Sequence, residues 1–125
     1  MKMMNNRDKA ITESLKKFRV LNRDQLIKLH FLQNKTPHVV ANRVLKRLVD
    51  NNQIEVDKTT RPYNYFPSPR SIKKDSTKIP HFRAIADFYI TLCAYETPTL
   101  FEVEFKPLAK GGIEPDVFMK WKGFA

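Results

Sequence analysis

Apolar positions recur along the first third of the chain at helical spacing. In "RDKAITESLKKFRV", Ala10, Ile11, Leu15 and Phe18 share one face, and Lys9, Glu13, Lys16 and Lys17 take the other. A second, short helix is expected in "LNRDQLIKLHF". Asn22 is placed to cap it, Gln25 three residues later to complete a capping box, and Leu26, Ile27 and His30 or Phe31 to form its core side. "QNKT" interrupts the pattern. Thr36 followed by Pro37 then signals a third helix, with a side-chain oxygen at the N-cap and a pre-set φ at the first helical position. On that helix Val40, Ala41, Val44, Leu45, Leu48 and Val49 fill about half the wheel, and Val39, Asn42, Arg43, Lys46 and Arg47 lie opposite.

The periodicity then changes from helical to alternating. "NNQIEVDK" breaks the third helix and starts a strand with Ile54 and Val56 inward, "TTRP" turns, and "YNYF" returns with Tyr63 and Tyr65 alternating. Residues 67–80 hold three prolines, three serines and four cations (Arg70, Lys73, Lys74 and Lys78) and read as an extended, flexible connector. From His81, "HFRAIADFYITLCAY" reads as a buried amphipathic helix with Ile85, Phe88, Tyr89 and Leu92 on its apolar side. "TLFEVEFKPL" is a half-buried strand with Phe101, Val103 and Phe105 on one side and Leu100, Glu102 and Glu104 on the other. After the "KGGI" turn, "EPDVFMKW" is a second strand with Pro115 at its start or on an edge. The expected class is α+β. Residues 1–66 form three helices plus a hairpin, 67–80 a basic Pro/Ser-rich linker, and 81–125 a helix–strand–strand module.

Composition narrows the function. The 125 residues are 42% hydrophobic and 11% aromatic, which suits one ordinary domain or two small ones rather than a disordered chain. The one cysteine, Cys93, sits between Leu92 and Ala94 and reads as a small hydrophobe. No signal peptide or membrane span is visible, and a reducing, cytoplasmic setting is expected. The formal net charge is +10, unevenly spread. Residues 1–80 carry 18 Lys/Arg against 7 Asp/Glu, and residues 81–125 carry 5 against 6. Such asymmetry points to a polyanionic partner for the first part, or to a generally basic soluble surface.

Three helices, the third cationic on its outer face, followed by a hairpin with Lys58 and Arg61 near its tip, follow the order of a winged helix-turn-helix. In such a domain the third helix enters the major groove and the wing tip touches phosphates or the minor groove. Double-stranded DNA is therefore the expected partner. Val39, Asn42, Arg43, Lys46 and Arg47 would face the groove, Lys35 and Thr36 a phosphate at the start of the helix, and Lys58 and Arg61 the wing contact. Asn pairs bidentately with adenine as Arg does with guanine. Arg70, Lys73 and Lys74 are candidates for phosphate contacts from the linker, or for solvating charge. The competing readings are a solvated face on an ordinary core helix, a winged helix that docks on a host or replication protein and, as a weaker alternative, a Mg²⁺-dependent nuclease or nickase.

The order "VLNRDQLIKLHF", "NRVLKRLVDNNQIEV", the helix from His81, Glu104 and "EPDVFMKWKG" resembles the replication-relaxation protein family of plasmids and phages. That resemblance implies a winged helix joined to a small module similar to the restriction-endonuclease core, and a role as a replication accessory factor or transcriptional regulator. Family members typically continue past the "W-x-G" segment into another acid-bearing strand. Here the sequence stops at Ala125, so an incomplete nuclease-like core is expected.

A nuclease of that core type needs two or three carboxylates for Mg²⁺ and usually a following lysine. Pro115–Asp116 supplies the first part, but Glu104-Phe105-Lys106 precedes it in the wrong order. Glu102 and Glu104 are able to approach Asp116 across an antiparallel pair and hold a cation weakly, or they form a polar solvent-facing row. There is no nucleophile elbow and no glycine-rich phosphate loop. No enzyme, metal or cofactor is expected. Because Val117, Phe118, Met119 and Trp121 would leave an apolar strand edge, the edge is expected to be covered by the first part of the chain or by a second copy, giving a homodimer.

Overall fold

The computed structural model describes residues 4–107 and 113–120. Helix α1 (Asn6–Phe18) starts at Asn5, whose side chain accepts from the Asp8 amide at 2.8 Å. Its inner face is Asp8, Ile11, Thr12, Leu15 and Phe18. Ala10, expected on that face, is exposed, because the buried stripe runs through Asp8 instead. The helix ends at Arg19, a positive-φ residue (φ 73°) whose amide donates to the Leu15 carbonyl.

A two-residue strand, β1 (Leu21–Asn22), follows and was not expected from the sequence. Two residues cannot show a period. Asn22 then caps α2 (Arg23–His30) with the expected capping box: its side chain accepts from the Gln25 amide at 2.8 Å, and Gln25 Oε1 accepts from the Asn22 amide at 3.0 Å. Helix α3 (Pro37–Asp50) begins with proline as expected, but the Thr36 side chain makes no capping bond. Asn52 adopts the left-handed conformation (φ 59°), and the Asn52 and Gln53 amides close the helix end on the Val49 and Leu48 carbonyls.

Strands β2 (Ile54–Asp57) and β3 (Asn64–Pro67) form the expected hairpin, with β1 completing a three-stranded antiparallel sheet in the order β1-β3-β2. Tyr65 pairs with Leu21 on one side and Val56 on the other. All four β3 residues are buried, since the central strand has neighbours on both edges and α1 packed on it. The hairpin tip is shaped by Asp57, which accepts from the Thr59 hydroxyl at 2.6 Å and the Thr59 amide at 2.9 Å. These bonds hold its carboxyl below the usual carboxylate range, with Lys74 adding to the effect.

The connector 67–80 is largely exposed but is anchored to the rest of the chain. Ile72 is buried in the core, Arg70 pairs with Glu55 at 2.7 Å, and the Ser76 amide closes a turn on the Lys73 carbonyl. Helix α4 (Ile79–Tyr95) starts two residues before His81, with Pro80 in its first turn. Its buried residues are Ile79, Phe82, Ala86 and Leu92; Ile85 and Tyr89 are half-buried, and Phe88, expected inside, is 47% exposed.

Strands β4 (Leu100–Pro107) and β5 (Ile113–Lys120) form a separate two-stranded antiparallel sheet, giving the helix–strand–strand order expected. The "KGGI" turn, apart from Ile113, and Trp121 lie outside the described residues. Val117 and Met119 are partly buried against the core, so these two apolar side chains of the expected edge are partly covered from within the chain.

One hydrophobic cluster runs from Ile11 through Leu45 and Phe82 to Val103, with members from residues 1–66, 67–80 and 81–125. Two devices join the ends of the chain. Gln25, besides closing its capping box, donates through Nε2 to the Arg83 carbonyl at 2.9 Å and to Asp87 Oδ1 at 2.7 Å. Phe18, Tyr89 and Phe101 form an aromatic group with centroids 4.8–5.9 Å apart, and Lys17 lies 4.8 Å from the centroid of Tyr89. Cys93 is partly buried beside Tyr89.

Replacing Gln25 with alanine removes three side-chain bonds from one largely buried site. Urea unfolding should show a loss of about 2–3 kcal/mol.

His30 is held neutral between α1 and α2. Its Nε2 is 2.8 Å from Ser14 Oγ, and burial, reinforced by Arg7, lowers its pKa from 6.5 to about 4. The unfolded chain therefore binds the extra proton first as pH falls. This contribution to stability is fully present above pH 6.5 and is lost progressively towards pH 4. The drop in melting temperature between these pH values should be smaller in His30→Gln, which keeps a partner for Ser14 without titrating.

Candidate nucleic-acid interface

The outer face of α3 is set by its inner one. Ala41, Val44, Leu45 and Leu48 are buried, and helical geometry then turns Val39, Asn42, Arg43 and Lys46 outward, all four exposed. Val39 is 62% exposed, which leaves an apolar side chain among the polar ones. Lys35 and Thr36 are exposed where α3 begins. Lys46 pairs with Asp50 one turn on at 2.6 Å, with both side chains largely in solvent. Such a pair contributes roughly 0.3–0.5 kcal/mol, and a phosphate replaces the carboxylate at little cost.

Arg47 differs from the other cations expected on this face. Its two Nη atoms each donate at 3.0 Å to the carboxylate of Asp8, which is 1% exposed. This bidentate pair raises the guanidinium pKa still further and ties α3 to the start of α1. Arg47 is first a partner for a buried charge.

The hairpin tip carries Lys58 and Arg61, both exposed. Arg61 is braced: its Nη1 donates to the Lys58 carbonyl at 2.6 Å and the Thr60 carbonyl at 3.0 Å, and its guanidinium lies 4.8 Å over the Tyr63 ring. Lys58 has its carbonyl in this network and its ammonium in solvent.

Between the hairpin and α3 lies a cleft of about 430 Å³. It brings Asn42 and Lys46 of α3 together with Lys58 and Arg61 of the hairpin, and leaves Arg43 outside. Sequence reasoning missed the other seven lining residues, among them Arg23, Tyr63 and Tyr65. Arg23 opens α2, and its Nη1 donates to Asn42 Oδ1 at 3.5 Å. No periodicity on α3 points to it, because it arrives from a different helix. Tyr65 is 6% exposed, and burial raises its hydroxyl pKa against the opposing pull of Arg23.

The linker cations gather elsewhere. Arg70, Lys73 and Lys74 line a shallow depression with Asp57, Thr59 and Asp75, and Arg70 is paired with Glu55. Carboxylates beside them offset their charge locally, so this group is a weaker attractor for phosphate than the α3 cleft.

In the second sheet, Glu104 is in register with Asp116, and Glu102 with Phe118. The side chains of Glu104 and Asp116 lie outside the described residues. Among the described residues no group of three or more His, Cys, Asp or Glu is arranged to hold a metal ion, and no helix is long and apolar enough to cross a membrane.

Arg47→Ala leaves the buried Asp8 carboxylate without its partner and should lower stability by about 2–3 kcal/mol in chemical denaturation. Asp8→Asn in the same background should recover part of that loss, because it removes the stranded charge. Compared with known proteins, the chain matches no family model, no curated protein and no solved structure, so the meaning of this surface rests on its own geometry and charge.

Proposed function

We propose that this protein binds double-stranded DNA through a winged helix made of α1, α2, α3 and the β2–β3 hairpin. The observation that carries the reading is the exposed face of α3, where Asn42, Arg43 and Lys46 stand clear of the core beside the cations of the hairpin. An α-helix fits the major groove, where arginine and asparagine distinguish guanine and adenine, and exposed Val39 suits a thymine methyl. Lys58 and Arg61 are placed for the neighbouring phosphates, as Lys35 and Thr36 are at the start of the helix. The cationic surplus of residues 1–80 supplies the long-range attraction.

Arg47 supports the fold in this reading and makes a lesser contribution to the groove. The resemblance to replication-relaxation proteins adds a biological setting to the proposal: a plasmid or phage replication factor or regulator that holds DNA rather than cutting it.

Replacing Arg43 and Lys46 together with alanine should weaken duplex binding at least about tenfold and reduce the salt slope by roughly two. Both side chains are exposed, and the circular dichroism spectrum should be unchanged. Fluorescence anisotropy on duplex DNA over a range of salt concentrations reads both effects. A double variant that binds like the parent sinks the assignment of this face. Negligible parent affinity at physiological salt favours a protein-docking role.

A further inference from the structure

The cleft between α3 and the hairpin has a composition that contact with a duplex from an exposed helix face does not require. Four cations line it (Arg23, Lys46, Lys58 and Arg61) against one carboxylate, Asp50, which is already paired with Lys46. The remaining wall is largely apolar, formed by Val49, Val56 and Pro62 with the rings of Tyr63 and Tyr65. Its volume of about 430 Å³ falls within the roughly 300–1,000 Å³ of small-molecule sites. A concave site with an apolar wall and a cationic rim suits an amphiphilic anion better than a bare phosphodiester track.

Arg23 sharpens the chemistry. Its backbone amide donates to the Tyr63 carbonyl at 3.0 Å, and the Arg61 guanidinium lies over the Tyr63 ring, so two arginines flank one tyrosine. The Arg23 Nε is buried, 3.9 Å from the Asp24 carboxylate, so a ligand in the cleft meets this guanidinium through its Nη atoms. The bond from Nη1 to Asn42 Oδ1, at 3.5 Å, is at the long limit. A charged donor held in this way favours a strong, compact acceptor such as a phosphate monoester.

We infer that this cleft binds a nucleoside monophosphate unit, with its phosphate on Arg23, Lys58 and Arg61 and its base and sugar against the apolar wall. The Asn42 amide lies in the same cleft and offers the donor and acceptor that a base edge needs. Two sources supply this unit: a free nucleotide, or an unpaired nucleotide at the end of a DNA strand. Asn42 and Lys46 belong both to the cleft and to the α3 face, so a ligand seated here competes with duplex DNA. The inference rests on the duplex-binding reading for that competition alone.

The test is isothermal titration of the full chain with adenosine monophosphate, adenosine and inorganic phosphate in separate runs. Adenosine monophosphate should bind with one-to-one saturation, at least about tenfold tighter than either fragment. Arg23→Gln and, separately, Lys58→Ala should each weaken it at least about fivefold. Lys58 is exposed at the hairpin tip, so its variant keeps the test valid if Arg23→Gln fails to fold. A dinucleotide carrying a terminal phosphate, compared with one lacking it, assigns the source. Tighter binding than adenosine monophosphate points to a strand end, and weaker binding to the free nucleotide.

Equal affinity for inorganic phosphate and adenosine monophosphate, or no saturation up to about 10 mM, overturns the inference. Duplex affinity is measured separately by anisotropy. Nucleotide binding without duplex binding leaves this site standing and removes the function proposed above, and the converse result does the reverse.

Discussion

A buried carboxylate needs a partner, and the one at Asp8 takes Arg47. That pair constrains the rotation of α3 about its own axis. The apolar side of the helix is already directed by Ala41, Val44, Leu45 and Leu48, and the two-point bond from Arg47 to α1 pins one flank. Asn42, Arg43 and Lys46 then have only solvent to face. A rotation that brought Arg47 outward would strand the Asp8 charge and expose core side chains in the same movement, so the outward strip is held by two independent costs.

A second constraint binds the halves of the molecule. Gln25 serves its own helix through its carbonyl and α4 through its amide, so the start of α2 and the middle of α4 share one side chain. The Phe18, Tyr89 and Phe101 rings make a similar joint between α1, α4 and β4. Arg19 adds a longer bond from the end of α1 to the Val103 carbonyl, at 3.4 Å. With Ile72 buried as well, the segment between the halves is held to the same core. The α3 face and the hairpin are thus carried on a frame that includes the C-terminal helix.

The cations divide by what already holds them. Arg47 answers Asp8, Arg70 answers Glu55, and Arg61 is braced by backbone carbonyls and an aromatic ring. Lys46 has only a solvent-exposed partner one turn away, and Lys58 projects from a tip whose shape is set by Asp57 and Thr59. A polyanion gains most from the second group, since it displaces water and weak pairs rather than structural bonds. Net charge alone does not make this distinction; the positions of the acidic partners do.

The sequence by itself determined the α+β class, the order of three helices and a hairpin, the Asn22–Gln25 capping box and the outward strip of α3. Each of these follows from local rules: a 3.6-residue period, a capping motif four residues long, and a change to alternation. It did not disclose β1, whose two residues carry no period, or the anchoring of residues 67–80, whose polar composition hides the buried Ile72. The inner face of α4 was misjudged around Phe88 because a helix with apolar residues on most sides has no unique buried stripe until its neighbours are known. Only the tertiary structure decided that Arg47 belongs to Asp8, 39 residues away, and that Arg23 belongs to the cleft beside α3. Periodicity reports which face of one element is buried, but which side chains from different elements meet is set by how the elements pack.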